Sequence, residues 1–354
     1  LVKNKKSFPL HQISKISFTI EHFKSSLLIS QTKKWIEEKN YKKFESHFSC
    51  KNENDLLSEF FFLISNLYSS QEKYNESNFY LNISNYLNPK FYFNLSLLVD
   101  NYYSDKNFEL AKKILNKFKK KDDIYYWYKI KKIAQILANE KNDETSLKYV
   151  EKKFQDIKNP SPKILYDLAN IYKNFKNYEK AIDYYTIVLN ILDDSSSFYA
   201  DVLYRRGGSL ERIGQHLKSD NDLLRALEII PDDPYTMNYL AYSWLERNYK
   251  IDEAIEMLKL AYSQKKNDPY ITDSVGWAYY LIGDYKTAEK YLKKAVNLMP
   301  DDPIVNDHYG DVLWKLNRKL QAQYFWENVL ELDDIDEKMK KEIQLKLLNG
   351  LNKI

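Results

Sequence analysis

Pro269-Tyr-Ile-Thr-Asp-Ser-Val-Gly-Trp-Ala-Tyr-Tyr-Leu-Ile-Gly-Asp-Tyr-Lys-Thr-Ala-Glu-Lys-Tyr-Leu-Lys-Lys-Ala-Val-Asn-Leu-Met-Pro-Asp-Asp302 is followed by residues that repeat its pattern at a fixed interval. Gly276 to Gly310, Ala288 to Ala322 and Asp268-Pro269 to Asp302-Pro303 are each 34 residues apart. Small residues and a helix-start signal therefore recur together, and a period of that length is the mark of a helical solenoid. In Asp233-Pro234, Asp268-Pro269 and Asp302-Pro303 the carboxylate stands where it can accept the orphan N–H bonds of a helix start. The proline stands at the first helical position, where a missing N–H costs nothing.

Working outward, Asn107-Phe108-Glu-Leu-Ala111, Asn177-Tyr178-Glu-Lys-Ala181 and Asp284-Tyr285-Lys-Thr-Ala288 are one motif, with weaker versions at Lys73 to Ser77 and Asn40 to Phe44. The register puts unit starts near Ser25, Ser58, Tyr92, Trp127, Pro162, Ala200, Pro234, Pro269 and Pro303. Eight positions into a unit stand Ala169, Gly207, Ala241, Gly276 and Gly310; twenty positions in stand Ala111, Ala181, Ala254, Ala288 and Ala322. A glycine inside a helix costs about 1 kcal/mol against alanine, so its recurrence predicts a close approach of the two helices of a unit. Asp193-Asp-Ser-Ser-Ser197 adds four residues, read as a polar loop, and Glu246 to Ala254 has one extra residue, read as a small protrusion. Between Trp127 and Phe154 two registers stay open.

The expected fold is an all-α, right-handed superhelical solenoid of about nine helix-turn-helix units. Its divisions are a poorly ordered lead-in at 1–24, divergent repeats at 25–160, regular repeats at 161–334 and a capping helix at 335–354. In the last segment Ile335, Met339, Ile343 and Leu347 recur every four residues with charges between them, which suits the polar terminal cap a solenoid needs.

At 354 residues the chain exceeds the usual single-core size, and a repeat array resolves that. Tyrosine is abundant, at 31, and 29% of residues are charged. Residues 1–160 carry 28 Lys+Arg against 19 Asp+Glu, and 161–354 carry 26 against 31, so the net charges are +9 and −5. The densest basic cluster is Lys117 with Lys119 to Lys121. A solvated basic face is favoured over nucleic-acid or membrane-surface binding, because the lysines are spread among helix-surface positions. The single cysteine, Cys50, excludes an internal disulfide and a cysteine-based zinc site. No apolar run approaches the length of a membrane span, and any anchor would lie outside this sequence.

The array resembles the tetratricopeptide repeat proteins from about residue 25 onward. The family's small, aromatic and proline positions are filled by Gly276, Tyr279, Ala288, Ala295 and Pro300, and one unit on by Gly310, Ala322 and Trp326. Asn238-Tyr-Leu-Ala-Tyr-Ser-Trp244, Asp273 to Tyr280 and Asn306 to Trp314 are similar to a proteobacterial group within that family. That group includes outer-membrane lipoproteins that act as adaptors for a periplasmic C-terminal processing protease. The resemblance implies a non-enzymatic adaptor or scaffold for a peptide or protein partner, a processing protease among the candidates. It favours a periplasmic or outer-membrane-associated setting over a cytoplasmic one. Cys50 has no apolar stretch before it and does not match the lipid-modified cysteine of such lipoproteins. The alternative is the repeat portion of a larger enzyme, such as a glycosyltransferase.

In that family the partner lies along the first helix of each unit. Positions two, five, nine and twelve share one face of it. From Ala200 onward they hold Tyr204 and Glu211; Tyr235, Asn238, Tyr242 and Leu245; Tyr270, Asp273, Trp277 and Tyr280; and Ile304, Asp307, Asp311 and Trp314. The partner groove expected from this set is Tyr204, Asn238, Tyr242, Asp273, Trp277, Asp307, Asp311 and Trp314, with Leu245 and Tyr280 read as packing. Aromatic rings anchor and carboxylates hold backbone N–H groups or a basic side chain. Asp273, Asp307 and Asp311 would repel one another unless a partner or an arginine neutralises them; a solvated row is the other reading. The family's carboxylate clamp is not reproduced, and Arg205 and Arg212 are candidates for holding a separate acidic feature. His308 reads as a hydrogen-bonded structural histidine, since the histidines at 11, 22, 47, 216 and 308 show no ligand spacing. Gly207-Gly208-Ser209 lacks the phosphate-loop pattern. No catalytic motif, cofactor, metal or small-molecule substrate is expected.

Overall fold

The computed structural model describes residues 27–47, 49, 51–120, 123–332 and 335–353. The expected lead-in at 1–24, Cys50 and Lys121 lie outside them. Among the described residues there are nineteen α-helices and no strand. The chain divides into two compact units, Leu1–Ile191 and Leu192–Ile354.

The first unit contains α1 (Leu27–Glu37), α2 (Lys42–His47), α3 (Glu53–Ser69), α4 (Tyr74–Leu87), α5 (Phe93–Ser104), α6 (Phe108–Leu115), α7 (Asp123–Glu140), α8 (Asp143–Phe154), α9 (Pro162–Asn174) and α10 (Tyr178–Leu189). The second contains α11 (Ser197–Arg212), α12 (His216–Ile229), α13 (Pro234–Glu246), α14 (Ile251–Gln264), α15 (Pro269–Leu281), α16 (Tyr285–Leu298), α17 (Pro303–Lys315), α18 (Lys319–Glu331) and α19 (Glu337–Asn349), closed by a 3-10 turn at Gly350–Lys353. From α3 onward odd and even helices pair as hairpins, each hairpin packing on the next within its unit.

The start signals operate as the sequence implies. Asp233 accepts the N–H of Thr236 at 2.8 Å, Asp268 that of Ile271 at 3.1 Å, and Asp302 those of Ile304 and Val305 at 2.9 and 3.0 Å. The second helices are capped alike, with Asn107, Asn177 and Asp284 accepting from the third residue on. Among the described residues eight hairpin turns reverse through a residue at positive φ: Lys39, Glu72, Lys106, Lys176, Gly214, Asn248, Gly283 and Asn317.

The small positions are where helices touch. A Cβ placed on Gly276 would sit 2.6 Å from Leu292 Cγ, and one on Gly310 would sit 2.5 Å from Trp326 Nε1. Ala111, Ala181, Ala254, Ala288 and Ala322 are fully buried. The structure also fixes the register left open at 127–154. Ala134 and Ser146 take the two small positions there, and Ser146 Oγ donates to the Ala134 carbonyl at 2.7 Å. Ser77 makes the same bond to Ser65 at 2.8 Å two hairpins earlier.

Three features differ from expectation. Helix α3 starts five residues before Ser58, because Asn52 caps it by accepting from Asn54 N at 3.0 Å. The insertion forms the expected polar turn over 193–196, but Ser196 caps α11 three residues before the expected unit start at Ala200, and α11 runs 16 residues where α13, α15 and α17 run 13. The third is the first hairpin: α1 packs chiefly on α7, and the outer face of α3 stays open, with Phe60 55% and Leu67 64% exposed. The protrusion near Tyr249 is a packed corner, with Lys250 Nζ 4.8 Å from the centre of the Trp244 ring and Trp244 edge-on to Tyr249 at 5.8 Å.

Candidate functional site: the face of the first helices in the second unit

Helices α11, α13, α15 and α17 carry the candidate residues, and the structure sorts them into two groups. The first group is open or half-buried. Tyr204 meets Tyr239 edge-on at 5.8 Å, and burial raises its hydroxyl above the ordinary tyrosine pKa. Tyr242 is likewise raised, first by burial and then by Glu246 and Asp273. Trp277 stacks on Tyr280 at 4.6 Å, and its indole N–H donates to Glu246 Oε1 at 2.8 Å. At position two of successive helices Tyr235, Tyr270 and Ile304 are 48%, 53% and 50% exposed, forming an apolar rim.

Beneath this group two acceptors have no donor. Asn238 Oδ1 and Asp273 Oδ1 are buried oxygens without a hydrogen-bond partner in the protein. Buried polar atoms are nearly always paired, so two orphans on neighbouring first helices mark a place where an internal water completes the structure.

The second group is engaged from inside. His308 Nδ1 lies 2.8 Å from Asp273 Oδ2, and its ring stacks on Trp277 at 3.9 Å with the planes 11° apart. Burial disfavours a charged imidazole, but Asp273, with Asp307 and Asp311, outweighs it and holds His308 above its ordinary pKa. Lys346, from α19, reaches Asp307 Oδ1 at 2.6 Å and Asp311 at 2.8 and 2.9 Å. Trp326 Nε1 also donates to Asp311 at 3.0 Å. Burial chiefly, and then Asp307, pushes Asp311 up to about 6 against the pull of Lys346. Burial opposes the Lys346 ammonium, yet the two carboxylates outweigh it and raise its pKa. Trp314 packs on Trp326 at 5.3 Å beneath the chain end, where Gly350 has φ +63° and a Cβ would fall 2.0 Å from the Trp314 ring.

The three carboxylates are thus neither a solvated row nor dependent on an arginine. A histidine and a lysine of the same chain neutralise them. Lys346 is the functional side chain that sequence reading missed. The signal was available: it stands three residues after Ile343, the fully buried residue of α19, and so shares its inward face. Arg205 is bonded to Asp201 at 3.0 Å and Arg212 lies 3.8 Å from Glu211, and their charges act on Tyr204 and Tyr242 respectively rather than on the three carboxylates. Leu245 is buried and Tyr280 half-buried in packing, as expected. Among the described residues no group of three or more His, Cys, Asp or Glu could hold a metal ion, and no helix is long and apolar enough to cross a membrane.

Comparison with known proteins gives the repeats a name. The tetratricopeptide repeat family model matches residues 162–191 and 274–302, one segment in each unit. A TPR repeat-containing protein of Pseudomonas aeruginosa, PA4667, is 31% identical over 111 residues, covering 31% of this chain. The match spans 19% of that relative's length. Among solved structures, a thermophilic TPR protein of Thermus thermophilus, TTC0263, is 18% identical and covers 53% of this chain and all of its own, with a TM-score of 0.46. Pseudomonas aeruginosa PilF is 17% identical over 53% of this chain and 91% of its own, with a TM-score of 0.44. The chain is an all-α array carrying tetratricopeptide repeats, a repeat type that serves as a protein-interaction scaffold.

Proposed function

We propose that the chain is a non-enzymatic scaffold that binds a peptide or partner protein along α11, α13 and α15, with Tyr204, Asn238, Tyr242, Asp273 and Trp277 as the contact set. The observation that carries this is the row of half-exposed apolar side chains Tyr235, Tyr270 and Ile304 beside the half-buried rings of Tyr204, Tyr242 and Trp277. A partner would lay apolar side chains on these rings. Asp307, Asp311 and Trp314 form the closed end of the same face, held by α19 rather than offered to a partner.

The adaptor reading extends to a periplasmic or outer-membrane-associated setting with a processing protease as partner. It rests on the resemblance carried by 238–244, 273–280 and 306–314. Cell fractionation tests the setting: recovery in the cytoplasmic fraction alone removes it. The site is tested by co-purification with Asn238→Ala plus Trp277→Ala in the full chain. Loss of a partner by at least tenfold from a chain of unchanged helical content is expected, and full recovery overturns the site.

A further inference from the structure

The rim of the first helices is open in the second unit and covered in the first. Position two of α13, α15 and α17 holds Tyr235, Tyr270 and Ile304, each about half exposed, whereas position two of α7 holds Tyr128, 8% exposed. Helix α1 lies there. Leu27 packs against the buried cluster that Leu95 of α5, Leu115 of α6 and Tyr125 and Tyr128 of α7 help to build. Position two of α9 is Lys163, and Lys33 of α1, itself buried, is close enough for the two charges to interact. Gln31 and Trp35 stand across a cleft from Tyr92, which opens the α5 unit, and from Ile124 of α7. One helix thus meets α5, α7 and α9, although α2, α3 and α4 separate it from the nearest of them in sequence.

These are the contacts of a helix laid in a groove. Leu27, Gln31 and Trp35 recur every four residues and so share one face of α1. An aliphatic residue at one end of such a face and an aromatic one at the other is how an amphipathic helix anchors in a groove. Helix α1 also stands apart from the array. From α3 onward odd and even helices pair as hairpins, whereas α1 packs chiefly on α7. Its clip is α2: Trp35 is edge-on to Phe44 at 5.3 Å and 4.6 Å from His47, and Asn88 Nδ2 donates to the His47 carbonyl at 2.8 Å. Lifting α1 away therefore breaks no seam between hairpins.

We propose that the face of α5, α7 and α9 is a second, helix-binding surface and that α1 is its resident, an autoinhibitory segment displaced by a partner's amphipathic helix that carries an aliphatic and an aromatic residue about two turns apart. The tether sets the threshold. A segment joined by a short linker acts at an effective concentration of about a millimolar. A partner at micromolar concentration therefore displaces α1 when its helix binds the surface roughly a thousandfold more tightly than α1 does. This surface lies in the first unit and shares no residue with the contact set on α11, α13 and α15, so the two readings stand or fall separately.

The test supplies α1 in trans. A fluorescein-labelled synthetic peptide of residues 27–40 is titrated, by anisotropy, against the full natural chain and against full-length Trp35→Asp, which unseats α1 without touching the walls of the groove. Binding at least tenfold tighter to Trp35→Asp than to the natural chain is expected. Adding Ile124→Ala to that variant is expected to weaken the peptide at least fivefold, while adding Leu320→Ala, at an exposed position of α18, changes it less than twofold. Equal binding to the natural chain and Trp35→Asp, no binding to Trp35→Asp, or indifference to Ile124→Ala overturns the proposal. If Trp35→Asp loses more helix than α1 itself supplies, Leu27→Asp takes its place with the same criteria.

Discussion

The seam between α3, α4 and α5 and the seam between α15, α16, α17 and α18 solve one packing problem in two ways. In the second unit Gly276 and Gly310 remove side chains so that Leu292 and Trp326 can sit against the backbone. In the first unit Ser65 stands at the position of Gly276 and Ser77 at that of Ala288, and the seam is stitched by hydrogen bonds. Ser58 and Ser84 exchange bonds with each other's carbonyls at 2.8 and 2.6 Å. Asn94 donates to Ser84 at 2.7 Å, and Asn101 donates to Ser77 and Asn78, both at 2.8 Å. A small hydroxyl that finds a carbonyl serves as well as a missing side chain, because what the position requires is low volume with no unpaired polar atom.

The comparison can be broken at several points, the largest at the closed end of the second unit. Lys346→Met leaves Asp307 and Asp311 uncompensated and is expected to cost about 3–5 kcal/mol near pH 7.5, by chemical denaturation. Because Asp311 titrates at about 6, the cost shrinks at pH 5, where the carboxyl takes a proton. A cost unchanged between the two pH values would mean that Lys346 acts by packing alone. Next come the seams themselves. Gly310→Ala drives a methyl into the Trp326 ring and is expected to lower stability by about 1–3 kcal/mol. Ser77→Ala, which writes the second unit's residue into the first, is expected to cost about 1 kcal/mol by removing one hydrogen-bond partner. If Ser77→Ala proves the more damaging, the hydroxyl network and not small volume sets the first seam.

The smallest effect is the titration of His308. Its raised pKa means that the stabilisation from the Asp273 pair is fully present below about 6.5, the unfolded value, and is lost as pH rises through the folded value. The stability difference between the natural chain and His308→Gln is therefore expected to fall by about 1 kcal/mol between pH 6 and pH 9. NMR titration of the imidazole is expected to give a pKa above 6.5, and a value below it would show that burial, not Asp273, governs the ring.

The helix starts at Pro234, Pro269 and Pro303 were legible because caps and small positions act over three or four residues and then repeat. The register at 127–154 was not, because Ser146 does the work of alanine and propensity does not reveal a hydroxyl that will find the Ala134 carbonyl. The candidate face was legible as a set of positions on first helices. Which of those positions remain available was not.

From the sequence alone, this protein is determined to be an array of helical hairpins, since the 34-residue period, the caps and the glycines are local and recurrent signals. Only the tertiary structure decided that Asp307 and Asp311 are neutralised by a lysine 39 and 35 residues away. The reason is physical: a buried charge is settled by whichever counter-charge the fold brings to it, and that pairing has no period to read.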